Sequence, residues 1–153
     1  VLANVLTWMA EKMSAVFVVA TANGVERLPA ELLRKGRFDE IFLLDLPTTE
    51  ERFSILELHI QQRRENLNLP LAAVVDRTEG FSGAELEQTV IEGMHLAFAE
   101  RRELEETDLI LAATQLVPLS RTAKEQLNFL KEWASSGRAR PASLSFGQSF
   151  HAS

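Results

Sequence analysis

The spacing of apolar residues changes near Pro47, and this change limits the possible folds more than any other feature. Before Pro47 the chain contains two short continuous apolar runs, AVFVVATAN (15–23) and EIFLLDLP (40–47). Runs of this length between turn residues are typical of buried parallel strands. After Pro47 the apolar residues recur every three or four positions, as in helices that bury one face. The pattern predicts an α/β part followed by an all-helical part.

Capping boxes mark two helix starts in the second part. Thr48 is followed three residues later by Glu51, and Ser82 is followed in the same way by Glu85. In such a box each residue satisfies a backbone amide of the other, which stabilises the first turn. Thr107 is expected to cap a further helix that begins at the next residue.

The chain therefore divides into three predicted segments. Residues 1–47 are an α/β fragment with two parallel strands and helices, and the remainder of its sheet is missing, because two strands alone do not make a stable sheet. Residues 48–134 form an all-α domain. Residues 135–153 are rich in Gly, Ser, Arg and Pro and are predicted to be a flexible tail.

Composition excludes several classes of function. The formal net charge is −6, which argues against broad binding to nucleic acid or to an acidic membrane. No apolar run approaches the roughly 18–20 residues of a membrane span. With no cysteine and three histidines, a metal site has little support. The chain starts without Met and directly in an apolar pattern, which indicates a piece of a longer protein.

Asn23 ends the first apolar run, and this position makes it a candidate binding residue. Ligands of open α/β sheets bind at the carboxyl ends of the strands. A neutral amide there can donate a hydrogen bond to a phosphate or hold a water molecule. The alternative is that Asn23 and Gly24 simply form a turn, which this dipeptide favours.

Arg34 and Arg37 flank Lys35 and Gly36 just before the second apolar run. The guanidinium group keeps its charge and presents a planar set of donors that matches phosphate oxygens. The alternative is a solvated basic turn paired with nearby acids, which contributes little energy.

The segment GFSGAEL (80–86) predicts a helix start with small residues, Gly83 and Ala84, in its first turn. Free amides and the positive end of the helix dipole gather there, and small side chains let a flat ring or a phosphate approach the backbone. An ordinary capped helix explains the same pattern. His59 lies on the preceding helix among apolar neighbours, where a packed, structural histidine is the alternative.

The order of these features resembles the carboxyl-terminal half of an AAA ATPase module. The stretch VVATANGVERLPAELLRKGRFDEIFLLDLP (18–47) is similar to the second region of homology of that family. The resemblance covers roughly residues 1–117, and the final helix with its tail is most similar to a plastid or cyanobacterial subfamily.

This resemblance implies specific roles near the phosphates. Asn23 matches the sensor-1 residue, which reads the γ-phosphate and positions the attacking water. Arg34 and Arg37 match the paired arginines that reach the nucleotide of the neighbouring subunit. Lys35 departs from the proline usual between these arginines, which leaves their geometry and the choice of finger open.

The resemblance also implies contacts to the sugar and base. Gly83 and Ala84 match the sensor-2 position, which in this branch lies near the adenine and ribose. His59 matches a helix residue near the same groups. Residues 1–47 would then be the end of the large α/β subdomain, and residues 48–134 the helical lid.

The implied cofactor is ATP with Mg²⁺ in the intact parent protein, and none is expected on this chain alone. The sequence has no G-x-x-x-x-G-K-[ST] motif and no apolar run that ends in Asp-Glu. The implied partners are the missing amino-terminal half of the module, neighbouring subunits of a ring, and a protein substrate, with no nucleic acid and no membrane. The implied location is the cytoplasm or a plastid stroma.

Two other functions stay open from the sequence. The chain could be a stand-alone helical interaction module that supplies arginines in trans to a partner ATPase. A clamp-loader-like, DNA-associated ATPase is a third option, against which the acidic balance counts. The sequence upstream of Val1 would separate the first two.

Overall fold

The computed structural model describes residues 7–8, 11, 15–33 and 38–143. Thr7, Trp8 and Glu11 are helical. Strands β1 and β2 are Phe42–Leu43 and Arg140–Pro141. The named helices are α1 (Thr49–Arg63), α2 (Ala72–Arg77), α3 (Gly83–Ala99), α4 (Glu106–Gln115), α5 (Leu119–Thr122) and α6 (Lys124–Trp133). No helix within the described ranges is both long enough and apolar enough to cross a membrane.

The hydrophobic core formed by the described residues lies among α1, α2, α3 and α4. Helix α3 is at its centre and packs against α1 and α4, while α2 packs against α4 and α1. The predicted α/β part followed by an all-helical part is confirmed. The buried core residues are Leu56, Ile60, Leu71, Val74, Val75, Phe81, Leu86, Val90, Ala97, Leu104, Leu109 and Ala113.

Both predicted capping boxes are present. The Thr48 hydroxyl accepts a hydrogen bond from the Glu51 amide at 3.3 Å, and the Glu51 carboxylate accepts one from the Thr48 amide at 2.8 Å. At the start of α3, the Ser82 hydroxyl accepts from the Glu85 amide at 3.4 Å and the Glu85 carboxylate accepts from the Ser82 amide at 2.7 Å. These contacts explain why α1 and α3 begin where the sequence predicted.

Replacing Ser82 by alanine is expected to lower the free energy of unfolding by about 1 kcal/mol, because an N-cap oxygen is lost. The matched control is Ser54→Ala, which removes an exposed hydroxyl that bonds only to the Glu50 carbonyl within α1. The control is expected to change stability by less than about 0.5 kcal/mol. Urea unfolding followed by circular dichroism measures both. Equal effects of the two substitutions would contradict a capping role for Ser82.

The predicted cap at Thr107 is wrong. Helix α4 begins at Glu106, with Glu105 as its N-cap. The Asp108 carboxylate accepts a hydrogen bond from the Glu105 amide at 2.9 Å. It also accepts two from Arg102, at 2.6 and 2.7 Å. Because Arg102 holds this carboxylate against the start of α4, the helix begins before the Thr107 hydroxyl could cap it.

The structure has two parallel strands, as the fold class predicted, but only one of them lies in a predicted strand segment. Strand β1 lies inside the second apolar run and pairs with β2, with Phe42 opposite Arg140 and Leu43 opposite Pro141. The other predicted strand was the run 15–23. Strand β2 instead comes from the segment that was predicted to be a flexible tail, so a distant part of the chain supplies the hydrogen bonds that β1 needs.

The first apolar run does not form the predicted strand. Residues 15–22 have no regular secondary structure, and their side chains are exposed. Phe17 is 92% exposed and Val19 is 76% exposed. A strand requires a neighbour to satisfy its amides and carbonyls, and within the described ranges this run has none. Its apolar side chains consequently face solvent.

Side chains near the carboxyl terminus contact both the α/β part and α1. Lys131 on α6 lies 2.9 Å from the Asp45 carboxylate. The Ser143 hydroxyl donates to the Glu51 carboxylate at 2.8 Å. The Thr48 amide and then the Ser143 hydroxyl lower the pKa of Glu51. One carboxylate therefore caps α1 and also holds the chain beyond β2.

Candidate functional site

Four of the six candidate site residues lie in the described part of the chain. Arg34 and Arg37 lie outside the described residues, which stop at Leu33 and resume at Phe38. Their proposed role in contacting a phosphate therefore remains a prediction from the sequence.

Asn23 is exposed and lies just before a 3₁₀ turn, Val25–Arg27. Its backbone carbonyl accepts a hydrogen bond from the Gln126 side chain on α6 at 2.9 Å. Its side-chain amide has no hydrogen-bond partner among the residues described. The backbone at Asn23 is thus tied to α6, whereas its amide group is available to a ligand.

The first turn of α3 presents an open surface. A Cβ atom at Gly83 would meet no heavy atom within 4 Å, and the neighbouring Ala84 is exposed. The capping box engages the amides of Ser82 and Glu85. In the described ranges the amides of Gly83 and Ala84 have no acceptor. Two free donors therefore lie at the positive end of the α3 dipole.

His59 belongs to a polar cluster that joins α1 to α3. Arg63 donates to the His59 carbonyl at 3.1 Å, and its Nη1 lies 3.3 Å from the ring atom Nδ1. Arg63 Nη2 donates to Glu87 Oε1 at 2.6 Å, and the same oxygen lies 3.7 Å from His59 Nδ1. We call these three residues the His59 cluster. The His59 side chain is 18% exposed.

The His59 cluster is linked to one other candidate element, the start of α3. Glu87 lies one helical turn after Gly83, so the cluster adjoins the first two turns of α3. Asn23 is not part of this arrangement, because its described contact is with α6. The structure thus joins His59 through Arg63 and Glu87 to the second turn of α3, whereas the described contact of Asn23 is with α6.

The sequence patterns did not indicate three residues that contact candidate site residues or their partners: Arg63, Glu87 and Gln126. Arg63 lies four residues after His59, and this spacing on a helix could have suggested the contact. Glu87 and Gln126 are 24 and 103 residues from their partners, so no local pattern points to either contact.

The donors described here are a ring nitrogen at His59 and two free amides at Gly83 and Ala84, with open space beside Gly83. Free amides at a helix start can bind a polar or anionic acceptor, and the open space lets such a group approach the backbone. No group of three or more His, Cys, Asp or Glu residues that could hold a metal ion occurs among the described residues.

Two family models match successive parts of the chain. A sequence model for the ATPase family associated with various cellular activities (AAA) matches residues 1–46. A model for the AAA+ lid domain matches residues 68–111. The lid match spans α2, α3 and most of α4, and therefore contains Gly83 and Ala84.

Several curated proteins are similar to most of the chain. The uncharacterized AAA domain-containing protein ycf46 of Pyropia yezoensis is 50% identical over 141 residues, which is 91% of this chain and 29% of that protein. The protein of the same name from Trieres chinensis is 50% identical over 145 residues, 94% of this chain and 29% of its own length. The ATP-dependent zinc metalloprotease FtsH of Mesomycoplasma conjunctivae is 37% identical over 91 residues, 60% of this chain and 12% of its own length. The chain thus spans less than a third of these relatives.

Proposed function

Since this chain belongs to the AAA ATPase family and contains the carboxyl-terminal part of its module, we propose that it is the sensor and lid portion of an ATPase. In the intact protein this portion would help to bind and hydrolyse ATP and to convert the energy into remodelling of a protein. The observation that carries the proposal is the junction of the His59 cluster with the exposed first turn of α3, because it offers donors to a sugar and base.

Asn23 would act near the terminal phosphate of ATP. Its free amide can orient an attacking water or donate to a phosphate oxygen without adding charge. Arg34 and Arg37 would extend to the nucleotide of a neighbouring subunit in a ring. A guanidinium at that position stabilises the negative charge that develops as the phosphoryl group is transferred.

The lid would hold the nucleoside. The Gly83 and Ala84 amides are free to donate to the ligand, and the open space beside Gly83 lets the ligand approach the backbone. His59 would contact the ribose or base from α1. Loss of either element would weaken nucleotide binding rather than the chemical step.

The same proposal assigns the segments and partners. Residues 1–47 would complete a large α/β subdomain, residues 48–134 would be its lid, and residues 135–153 would be an appended tail. ATP with Mg²⁺ would bind in the intact protein, and the partners would be the rest of the module, adjacent ring subunits and a protein substrate. The location would be the cytoplasm or a plastid stroma.

A two-part measurement of ATP turnover tests the proposal. The 153-residue chain alone is expected to show no Mg²⁺-dependent hydrolysis above background, because it has no phosphate-binding loop. In a protein that carries the whole module, Asn23→Ala is expected to reduce turnover by about 100-fold, the scale of losing one positioned donor.

The control for the second part is Asn128→Ala, which removes an exposed amide on α6. It is expected to leave turnover unchanged. Hydrolysis by the 153-residue chain would contradict the assignment of its role. Normal turnover by the intact Asn23→Ala variant would favour the alternative, a helical module that supplies arginines in trans to a partner ATPase.

A further inference from the structure

The ring atom Nδ1 of His59 has two neighbours with opposite requirements. Arg63 Nη1 lies 3.3 Å away and Glu87 Oε1 lies 3.7 Å away. A guanidinium only donates hydrogen bonds, and an ionised carboxylate only accepts them. Nδ1 must lack a proton to bond to Arg63 and must carry one to bond to Glu87, so it can bond to only one of them.

The distances favour Arg63. A separation of 3.3 Å permits a weak hydrogen bond, whereas 3.7 Å is too long for one. The Glu87 oxygen is also engaged already, since it accepts from Arg63 Nη2 at 2.6 Å. These distances favour Nδ1 as the acceptor from Arg63, which places the proton of a neutral ring on Nε2.

Nε2 is available to a ligand. It has no hydrogen-bond partner in the part of the chain that the structure describes. That part also contains no buried side-chain nitrogen or oxygen without a partner, so Nε2 reaches the surface. A donor that no described residue uses is thus exposed at the junction of α1 and α3.

We propose that Arg63, held by Glu87, is a positioning residue that keeps His59 in the Nε2–H tautomer. His59 then donates a hydrogen bond to an oxygen or nitrogen acceptor of the nucleoside. The proposal rests on the proposed function, in which His59 faces the sugar or base of ATP. It adds that this contact selects an acceptor on the ligand and that the selection depends on Arg63.

Because Glu87 holds Arg63, the tautomer of His59 depends on the packing of α3 against α1. Glu87 is on α3, while Arg63 and His59 are both on α1. The ion pair between Arg63 and Glu87 forms only when the two helices are in contact. A displacement of α3 relative to α1 would therefore release Arg63 and remove the restraint on the histidine ring.

Long-range ¹H–¹⁵N NMR of the histidine rings tests the tautomer in the 153-residue chain. The measurement is made at about pH 8.5, where a histidine ring is mostly neutral. His59 is expected to show the Nε2–H pattern alone. In Arg63→Met the pattern is expected to change to mainly Nδ1–H, because the Glu87 carboxylate then becomes the nearest partner of Nδ1.

Two further variants and one internal comparison make the test specific. Arg63→Lys restores a group that only donates and is expected to restore the Nε2–H pattern. The double variant R63M/E87Q removes both charges and leaves at position 87 an amide that can either donate or accept, so it is expected to lose the strong Nδ1–H preference. His95 lies 3.7 Å from Glu92 and has no described arginine partner, so it serves as a reference within the same chain.

A failure of the tautomer assignment and a failure of the proposed function give different results in these experiments. A mixture of tautomers at His59 in the wild type, or no change in Arg63→Met, would overturn the assignment of Arg63. ATP added to a protein with the whole module is expected to shift the His59 Nε2 resonance, and Arg63→Met is expected to weaken ATP binding about fivefold, the scale of one neutral hydrogen bond. If the tautomer results hold and ATP leaves the resonance unchanged, the tautomer assignment stands and the nucleotide contact fails.

Discussion

Replacing Leu86 by alanine is expected to lower the free energy of unfolding by about 3–4 kcal/mol. Leu86 is on α3 and its exposed fraction is 0%. The substitution removes buried methyl and methylene groups and leaves a cavity where α3 meets its neighbours. Because the surrounding helices can collapse only partly into that space, the loss exceeds the simple transfer of the side chain to water.

The matched control is Leu58→Ala on α1. Leu58 is 53% exposed, so the same chemical change should alter stability by less than about 0.5 kcal/mol. Urea unfolding, followed by the helical circular dichroism signal, measures both variants. Similar losses for the two leucines would show that α3 is not at the centre of a well-packed core.

Asp108→Ala is expected to cost about 2–3 kcal/mol at neutral pH, since hydrogen bonds to a buried charged group are lost. Asp108 is 4% exposed and accepts bonds from Arg102 and from the Glu105 amide. The substitution thus removes an ion pair and a helix cap in one step. Asp108→Asn keeps the shape and the capping oxygen, and its cost is expected to be smaller.

The cost of Asp108→Ala should depend on pH. The hydrogen bonds from Arg102 lower the pKa of Asp108, burial opposes this by raising it, and the Glu105 amide lowers it further. A carboxyl group whose pKa is lower in the folded than in the unfolded state stabilises the protein at pH values above its unfolded pKa, which is about 3.9 for Asp. This stabilisation is lost as pH falls through the folded pKa. The stability difference between wild type and Asp108→Ala should therefore shrink in acid.

An exposed pair provides the control for this prediction. Glu103 lies 3.5 Å from Arg64, and both side chains are more than half exposed. Glu103→Ala is expected to change stability by less than about 1 kcal/mol, because water screens the pair. Urea unfolding at neutral and acid pH measures each variant. A pH-independent difference for Asp108→Ala would contradict the role of its charge.

The sequence predicted the helical part of the fold well. The boxes at Thr48 and Ser82 mark the starts of α1 and α3, because a cap involves residues only three positions apart. The predicted cap at Thr107 is wrong because the contact that positions the capping carboxylate of α4 is not a contact between residues three positions apart. The group that determines the start of α4 is Asp108, and its position is set by Arg102, six residues earlier in a turn that no periodic pattern describes.

The helix start at Gly83 and Ala84 was predicted from the sequence, and it is present, with His59 on the helix that packs against it. The role of these residues in binding stays a prediction. The partners that orient His59 were not predicted. Asn23 was expected at the end of a strand, whereas it follows a segment without regular structure and is bonded to α6.

The sequence itself determined the helical part, the caps of α1 and α3, and the family. Helical hydrogen bonds join residues four positions apart and therefore leave a periodic pattern in the chain. The partner of β1 and the contact of His59 with Glu87 were decided only by the tertiary structure. Strand pairing and contacts between helices join residues far apart in the chain, and many such pairings satisfy the same local pattern. In the folded protein α1 packs against α3, and the chain beyond α6 pairs with β1. These two contacts select one pairing among the many that the local pattern allows.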